Sequence, residues 1–162
     1  MTLHTHEQDF HNLITITATA LGMRQSLVEK DYWVTWVLRN LADSAVAEQV
    51  VFKGGTSLSK GYGLIERFSE GVDLTAILQE QQRDGALKKL IRKIHKTAAG
   101  DLSEVDVTGS TSKRGHNRLV YHRYPHLLTD SVPTAAEHIL LETTAFGELE
   151  PHIECRLISC LG

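Results

Sequence analysis

The hydrophobic period of this chain changes at Gly100, and the change limits the folds open to it. Before Gly100, apolar residues recur mainly at helical spacing. Phe10, Leu13, Ile14, Ala18 and Leu21 trace one stripe, and Trp33, Trp36, Val37 and Leu41 trace a second. Val34 and Leu38 widen the second stripe, which predicts a helix buried on much of its surface. Leu87, Leu90, Ile91, Ile94 and Ala98 mark a third helix. Two short strands, Gln49 to Phe52 and Val72 to Leu78, lie between the second and third helices, with a glycine-interrupted helix expected over 56–67. After Gly100, Asp101 to Val107, Asn117 to Tyr124, Glu137 to Thr143 and His152 to Ser159 read as strands. The turn-rich segments GSTSKRGHN and LLTDSVPTAA separate them. Helices first, strands last and a helix between strands predict an α+β (mixed α/β) fold, a small sheet flanked by helices.

The 162 residues suit one domain with its own core, and 41% hydrophobic with 23% charged residues is ordinary for a soluble globular chain. The net charge of −3 excludes a global attraction to nucleic acid, so any phosphate binding must be local. Cys155 and Cys160 form neither a CxxC pair nor a disulfide framework, which predicts reduced thiols in a cytoplasmic protein. No apolar run reaches the roughly 18 residues of a membrane span, and MTLHTHEQDFHN lacks the plan of a signal peptide. Ser26 with Glu29 has the spacing of a capping box opening the second helix.

Chemistry concentrates in VFKGGTSLSKGYGLIERFSEGVDL, residues 51–74. Gly54 and Gly55 follow an apolar strand and precede a short helix. Glycine permits a positive φ and close approach of a ligand to the backbone. Backbone N–H groups there, with the Thr56 and Ser57 hydroxyls, can face an anion such as a triphosphate. A tight strand-to-helix turn without a ligand accounts for the same dipeptide. A P-loop does not, since Lys60 follows Ser59 and precedes Gly61. Asp73 lies in the next strand, and its neighbour on the same face is position 71. Two aspartates at that spacing can hold Mg²⁺, but residue 71 is Gly71. Glu142 ends the apolar run HILLE, where a charge must be paired, liganded or at an edge, which makes it the best partner for Asp73. Without a ligand, Asp73 and Glu142 read as residues at the ends of solvated strands.

EKDYWVTWVLRNL and the 51–74 stretch resemble the AbiEii/AbiGii-type toxins of bacterial toxin–antitoxin systems, members of the minimal nucleotidyltransferase (DNA polymerase β-like) superfamily. ILLETTAFGELEPHIECRLIS is similar to the family's following strands, more loosely. The resemblance implies a nucleotidyltransferase-type sheet, NTP and Mg²⁺ as ligands, an RNA or other acceptor, and a cognate antitoxin protein. Nucleotide binding falls by position on Gly54, Gly55, Thr56 and Ser57, with Lys60 and Arg67 meeting phosphates unless both belong to a solvated helix face. Asp73 becomes the second metal carboxylate and Glu142 the third. Where the family reads Ser-Glu-Asp-hydrophobic-Asp, this chain reads Ser-Glu-Gly-Val-Asp. The first metal ligand is therefore missing. The family's C-terminal helical part is also expected to be absent from this single domain of residues 1–162. Two functions follow: a nucleotide-transferring toxin component, or a catalytically inactive, truncated module that engages a partner protein.

Outside that stretch, Lys113, Arg114, His116, Arg118, His122, Arg123 and His126 form the most basic segment. It suits an RNA backbone, with Tyr121 and Tyr124 able to stack on bases. An exposed basic hairpin is the alternative. His4 and His6 lack the clustered Cys or Glu of a zinc site and read as a frayed terminus. Trp33 and Trp36 read as core or interface residues.

Overall fold

Each apolar stripe becomes a helix whose buried side meets either another stripe or the sheet. The computed structural model describes residues 3–64, 71–77, 84–107, 116–127, 138–145 and 153–162. Helix α1 (Glu7–Leu21) packs on α2 (Gln25–Ala42), burying Phe10, Ile14 and Ala18 against Val28. Strand β1 (Val50–Lys53), helix α3 (Gly54–Lys60) and strand β2 (Gly71–Ala76) follow, then helix α4 (Asp84–Ala99). Strands β3 (Ser103–Val105), β4 (Asn117–Arg123) and β5 (His138–Thr144) complete the order. The mixed sheet runs β1-β2-β5-β4-β3, with β2 and β5 parallel and the other neighbours antiparallel. None of the described helices is long and apolar enough to cross a membrane.

Alternation sorts the sheet's two faces. Val72, Leu74 and Ala76 of β2 and Ile139 and Leu141 of β5 point towards α2 and α4 and are buried. They meet Trp33, Val37 and Leu41 of α2 and Leu90, Ile91 and Ile94 of α4. Gly71, Asp73, Thr75, Leu140 and Glu142 turn to the opposite face and are half-buried. Burial of a large apolar side chain contributes about 1.5–3 kcal/mol, so the first face decides register and the second is left for chemistry.

The boundaries correct several sequence expectations. Helix α2 opens at Gln25, and its N-cap residue Arg24 makes no side-chain capping bond, so Ser26 and Glu29 are not a capping box. Both are buried instead. Glu29 Oε1 accepts a hydrogen bond of 3.0 Å from the Leu127 amide, and Oε2 lies 2.6 Å from His126 Nδ1. Residues 153–159 form no strand, and β3 is only Ser103–Val105. Tyr124 is core: its ring stacks on Trp33 at 5.6 Å, so it cannot also stack on a base. His4 is held rather than frayed, with Nδ1 2.8 Å from the Tyr32 hydroxyl. Cys155 and Cys160 are free thiols, as expected.

The Glu29 contact has a pH signature. Burial pushes the Glu29 carboxyl above the ordinary glutamate range, against the opposing pull of the Leu127 amide and His126. A raised native pKa means the folded chain binds more protons than the unfolded one. The stability contributed at this position is therefore present below the ordinary glutamate range and is lost as pH rises through the native value. Thermal melts of the native chain and Glu29→Gln should diverge in that direction. The Tm difference, native minus variant, falls as pH rises from about 4.5, and a pH-independent difference would count against the burial argument.

Candidate functional site

The site starts where β1 passes into α3 without a connecting loop. Gly54 is the first residue of α3 and has φ +76°, a left-handed conformation that favours glycine. The expected glycine turn is thus the opening of the helix itself. A β-carbon at Gly54 would overlap Oδ2 of Asp73 and lie 2.9 Å from its carboxyl carbon. Glycine is required here twice, for the backbone angle and because the Asp73 carboxylate fills the space beside it.

Register brings the charged residues into one row. Lys53 pairs opposite Asp73 across β1 and β2, and Asp73 pairs with Glu142 across the parallel β2 and β5. Side chains of residues in register share a face, and neighbouring strands are about 4.8 Å apart. Asp73 and Glu142 therefore stand side by side, half-buried, on the face opposite α2 and α4. Glu142 is not at the end of its strand, since β5 continues to Thr144. Asn117 Nδ2 donates to Glu142 Oε1 at 3.3 Å, and Lys53 Nζ donates to Thr144 Oγ1 at 3.1 Å. These two bonds orient the row from either side.

The remaining predicted residues occupy different places. The Thr56 hydroxyl is buried and donates to the Gly71 carbonyl at 2.6 Å, which ties α3 to the start of β2. Ser57 is also buried. Lys60 is at the far end of α3, where Nζ donates to Asp31 Oδ1 at 2.5 Å and to the Ile158 carbonyl at 3.2 Å. Asp31 Oδ2 also accepts from the Cys160 amide at 2.7 Å, so Lys60 and Asp31 fasten α2, α3 and residues 158–160 together. Arg67 lies outside the described residues. Gly71 is on the same face as Asp73, but a β-carbon there would stand 2.6 Å from the Leu140 carbonyl oxygen. The absence of a side chain at 71 is thus matched by a close backbone approach.

The chemistry open to this arrangement is limited. Among the described residues, no group of three or more His, Cys, Asp or Glu side chains could hold a metal ion. Two adjacent carboxylates remain, and Mg²⁺ is characteristically held by one or two carboxylates together with phosphates. The described residues would suit one such ion sharing a phosphate ligand, and among them there are too few carboxylates for a two-ion centre. Burial, reinforced by Asp31, pushes the Cys160 thiol up to about 11, so it is protonated at neutral pH and unsuited to nucleophilic attack.

Sequence reasoning did not assign Lys53, Asn117 or Thr144. Strand alternation puts Lys53 on the Asp73 side, but only the register shows that the two are opposite each other. The basic segment also divides. Arg118 and His122 turn towards α4, while His126 is held by Glu29.

A comparison with known families matches residues 36–161 to the nucleotidyl transferase AbiEii toxin, type IV toxin–antitoxin system. No curated protein matches the chain. The family match starts at Trp36, after the EKDYW segment, and takes in both carboxylates and the glycine pair. It covers most of the sequence, and the chain belongs to the AbiEii family of nucleotidyl transferase toxins of type IV toxin–antitoxin systems.

Proposed function

We propose that the sheet face opposite α2 and α4 binds the triphosphate of an NTP together with Mg²⁺, for nucleotide transfer to an RNA or another acceptor in the cytoplasm. The single observation carrying this reading is the in-register pair Asp73–Glu142 beside Gly54. Asp73 and Glu142 would hold the cation, which when bound neutralises phosphate charge. Lys53 has three ammonium donors and gives one to Thr144, which leaves two for phosphate oxygens. Gly54 leaves room for the Asp73 carboxylate, and the Gly55 backbone, without a side chain, admits a phosphate closely. Thr56 contributes by fixing α3 against β2. Membership of a toxin–antitoxin family implies an antitoxin as protein partner and a nucleotide as substrate.

A second reading rests on a specific observation. At position 71, where the resemblance implies a first metal carboxylate, this chain has glycine, and the Leu140 backbone crowds that position. A site of this kind can retain nucleotide binding while losing transfer, leaving a module that engages the antitoxin. Incubating the chain with labelled NTPs, total RNA and Mg²⁺ separates the two. Transfer predicts label in RNA that is lost in Asp73→Asn. Persistent NTP binding without incorporation would leave only the binding module.

A further inference from the structure

On the other face of the sheet, towards its β3 edge, α4 and β4 line an open cavity of about 270 Å³. Its polar lining holds three permanent cations and two imidazoles against one carboxylate: Arg92, His95 and Lys96 from α4, Arg118 and His122 from β4, and Glu104 from β3. The two imidazoles are buried and their ring centroids are 6.2 Å apart. His95 Nε2 lies 3.1 Å from the Arg118 carbonyl, which fixes that ring against the strand. Arg118 reaches Glu104 through Nη2 at 3.2 Å, while its Nε is buried with no acceptor among the described residues. A guanidinium has five N–H donors in a planar fork. One carboxylate meets only part of that capacity. Arg92 and Lys96, both exposed on one side of α4, stand at the rim.

This is a local positive site on a chain of net charge −3. Glu104 offsets one of the three permanent charges of Arg92, Lys96 and Arg118, so an excess of two positive charges remains. Pockets that enclose whole small-molecule ligands are about 300–1,000 Å³, so the cavity is at the small end of that range and has room for a compact anion. A tetrahedral oxyanion can accept from the Arg118 fork and from both rim cations.

We infer that the α4–β4 cavity is a phosphate seat, taking either free phosphate or a phosphodiester of an RNA backbone. The seat is on the face opposite Asp73 and Glu142, so it is separate from the proposed triphosphate site. It does not depend on the nucleotidyltransferase reading, and its test uses neither metal nor NTP.

The test follows the imidazole NMR resonances of His95 and His122 in the full chain as inorganic phosphate is added. Both should shift saturably. Reversing the rim charges in Arg92→Glu/Lys96→Glu should weaken binding about tenfold or more with little change in Tm, because both side chains are exposed. Arg118→Lys keeps the charge but loses the fork, and should also weaken phosphate. A short oligouridylate that displaces phosphate, with a salt dependence reduced by about one ion in Lys96→Ala, assigns the seat to an RNA phosphodiester. Phosphate that stays bound in its presence assigns the seat to free phosphate. No saturable shift of either histidine, or equal phosphate affinity in the charge-reversed chain, would overturn the inference.

Discussion

Gly54→Ala should weaken Mg²⁺-dependent NTP binding by about tenfold or more, a loss of about 1.4 kcal/mol. Two costs coincide at this residue. A non-glycine residue in the left-handed region costs roughly 1–2 kcal/mol. The new methyl also displaces the Asp73 carboxylate, whose Oδ2 occupies the same space. Gly22 provides the control, because it has φ +65° with nothing within 4 Å of a β-carbon. Gly22→Ala therefore carries the backbone cost without the displacement. Calorimetric NTP titrations with Mg²⁺ should show normal affinity for Gly22→Ala and weak affinity for Gly54→Ala. Both variants should lose a few degrees of Tm, about 2–4 °C per kcal/mol for a chain of this size. Equal NTP affinity in the two would mean that the Asp73 position is immaterial to binding.

The second large effect is at Gly71, where two consequences must be separated. The aspartate that the sequence resemblance implies at this position would place a β-carbon 2.6 Å from the Leu140 carbonyl oxygen and 3.0 Å from Leu140 Cβ. The start of β2 must move away from β5, and overpacking of this kind costs typically 1–3 kcal/mol. Gly71→Ala carries the same crowding without the charge. Both variants should therefore lose stability, while only Gly71→Asp adds a carboxylate on the face of Asp73 and Glu142. Divalent-cation affinity should rise at least about tenfold in Gly71→Asp over Gly71→Ala. Equal affinities would show that position 71 no longer faces the cation. The crowding also means that Gly71→Asp alone need not recover transfer, because the displaced strand carries Asp73.

The helices and the mixed sheet were readable because burial enforces periodicity. Trp33, Val37 and Leu41 could be assigned to one helix face from spacing alone. Asp73 was singled out by its strand spacing from position 71, and Glu142 because a charge ending an apolar run requires an explanation. Their adjacency needed the parallel pairing of β2 with β5, which joins segments almost seventy residues apart and leaves no local trace. Lys53 stayed unassigned for the same reason. Local patterns also misled. Ser26 and Glu29 have capping-box spacing, yet Glu29 reaches residues 126 and 127 across the fold. Residues 153–159 have the apolar content of a strand but form no ladder. Lys60 is fastened to Asp31 and the Ile158 carbonyl instead. The spacing of Gly54 and Gly55 suggested a turn, but the reason for glycine at 54 was visible only once Asp73 was in place.

The central claim is that Asp73 and Glu142 together create a cation-dependent nucleotide site. It is tested most directly by titrating an NTP into the native chain and into Asp73→Asn, each with Mg²⁺ and with a chelator. The native chain should bind only with Mg²⁺ present, and Asp73→Asn should lose about two orders of magnitude in affinity at unchanged fold. NTP binding that is indifferent to Mg²⁺, or equally tight in Asp73→Asn, would contradict the account.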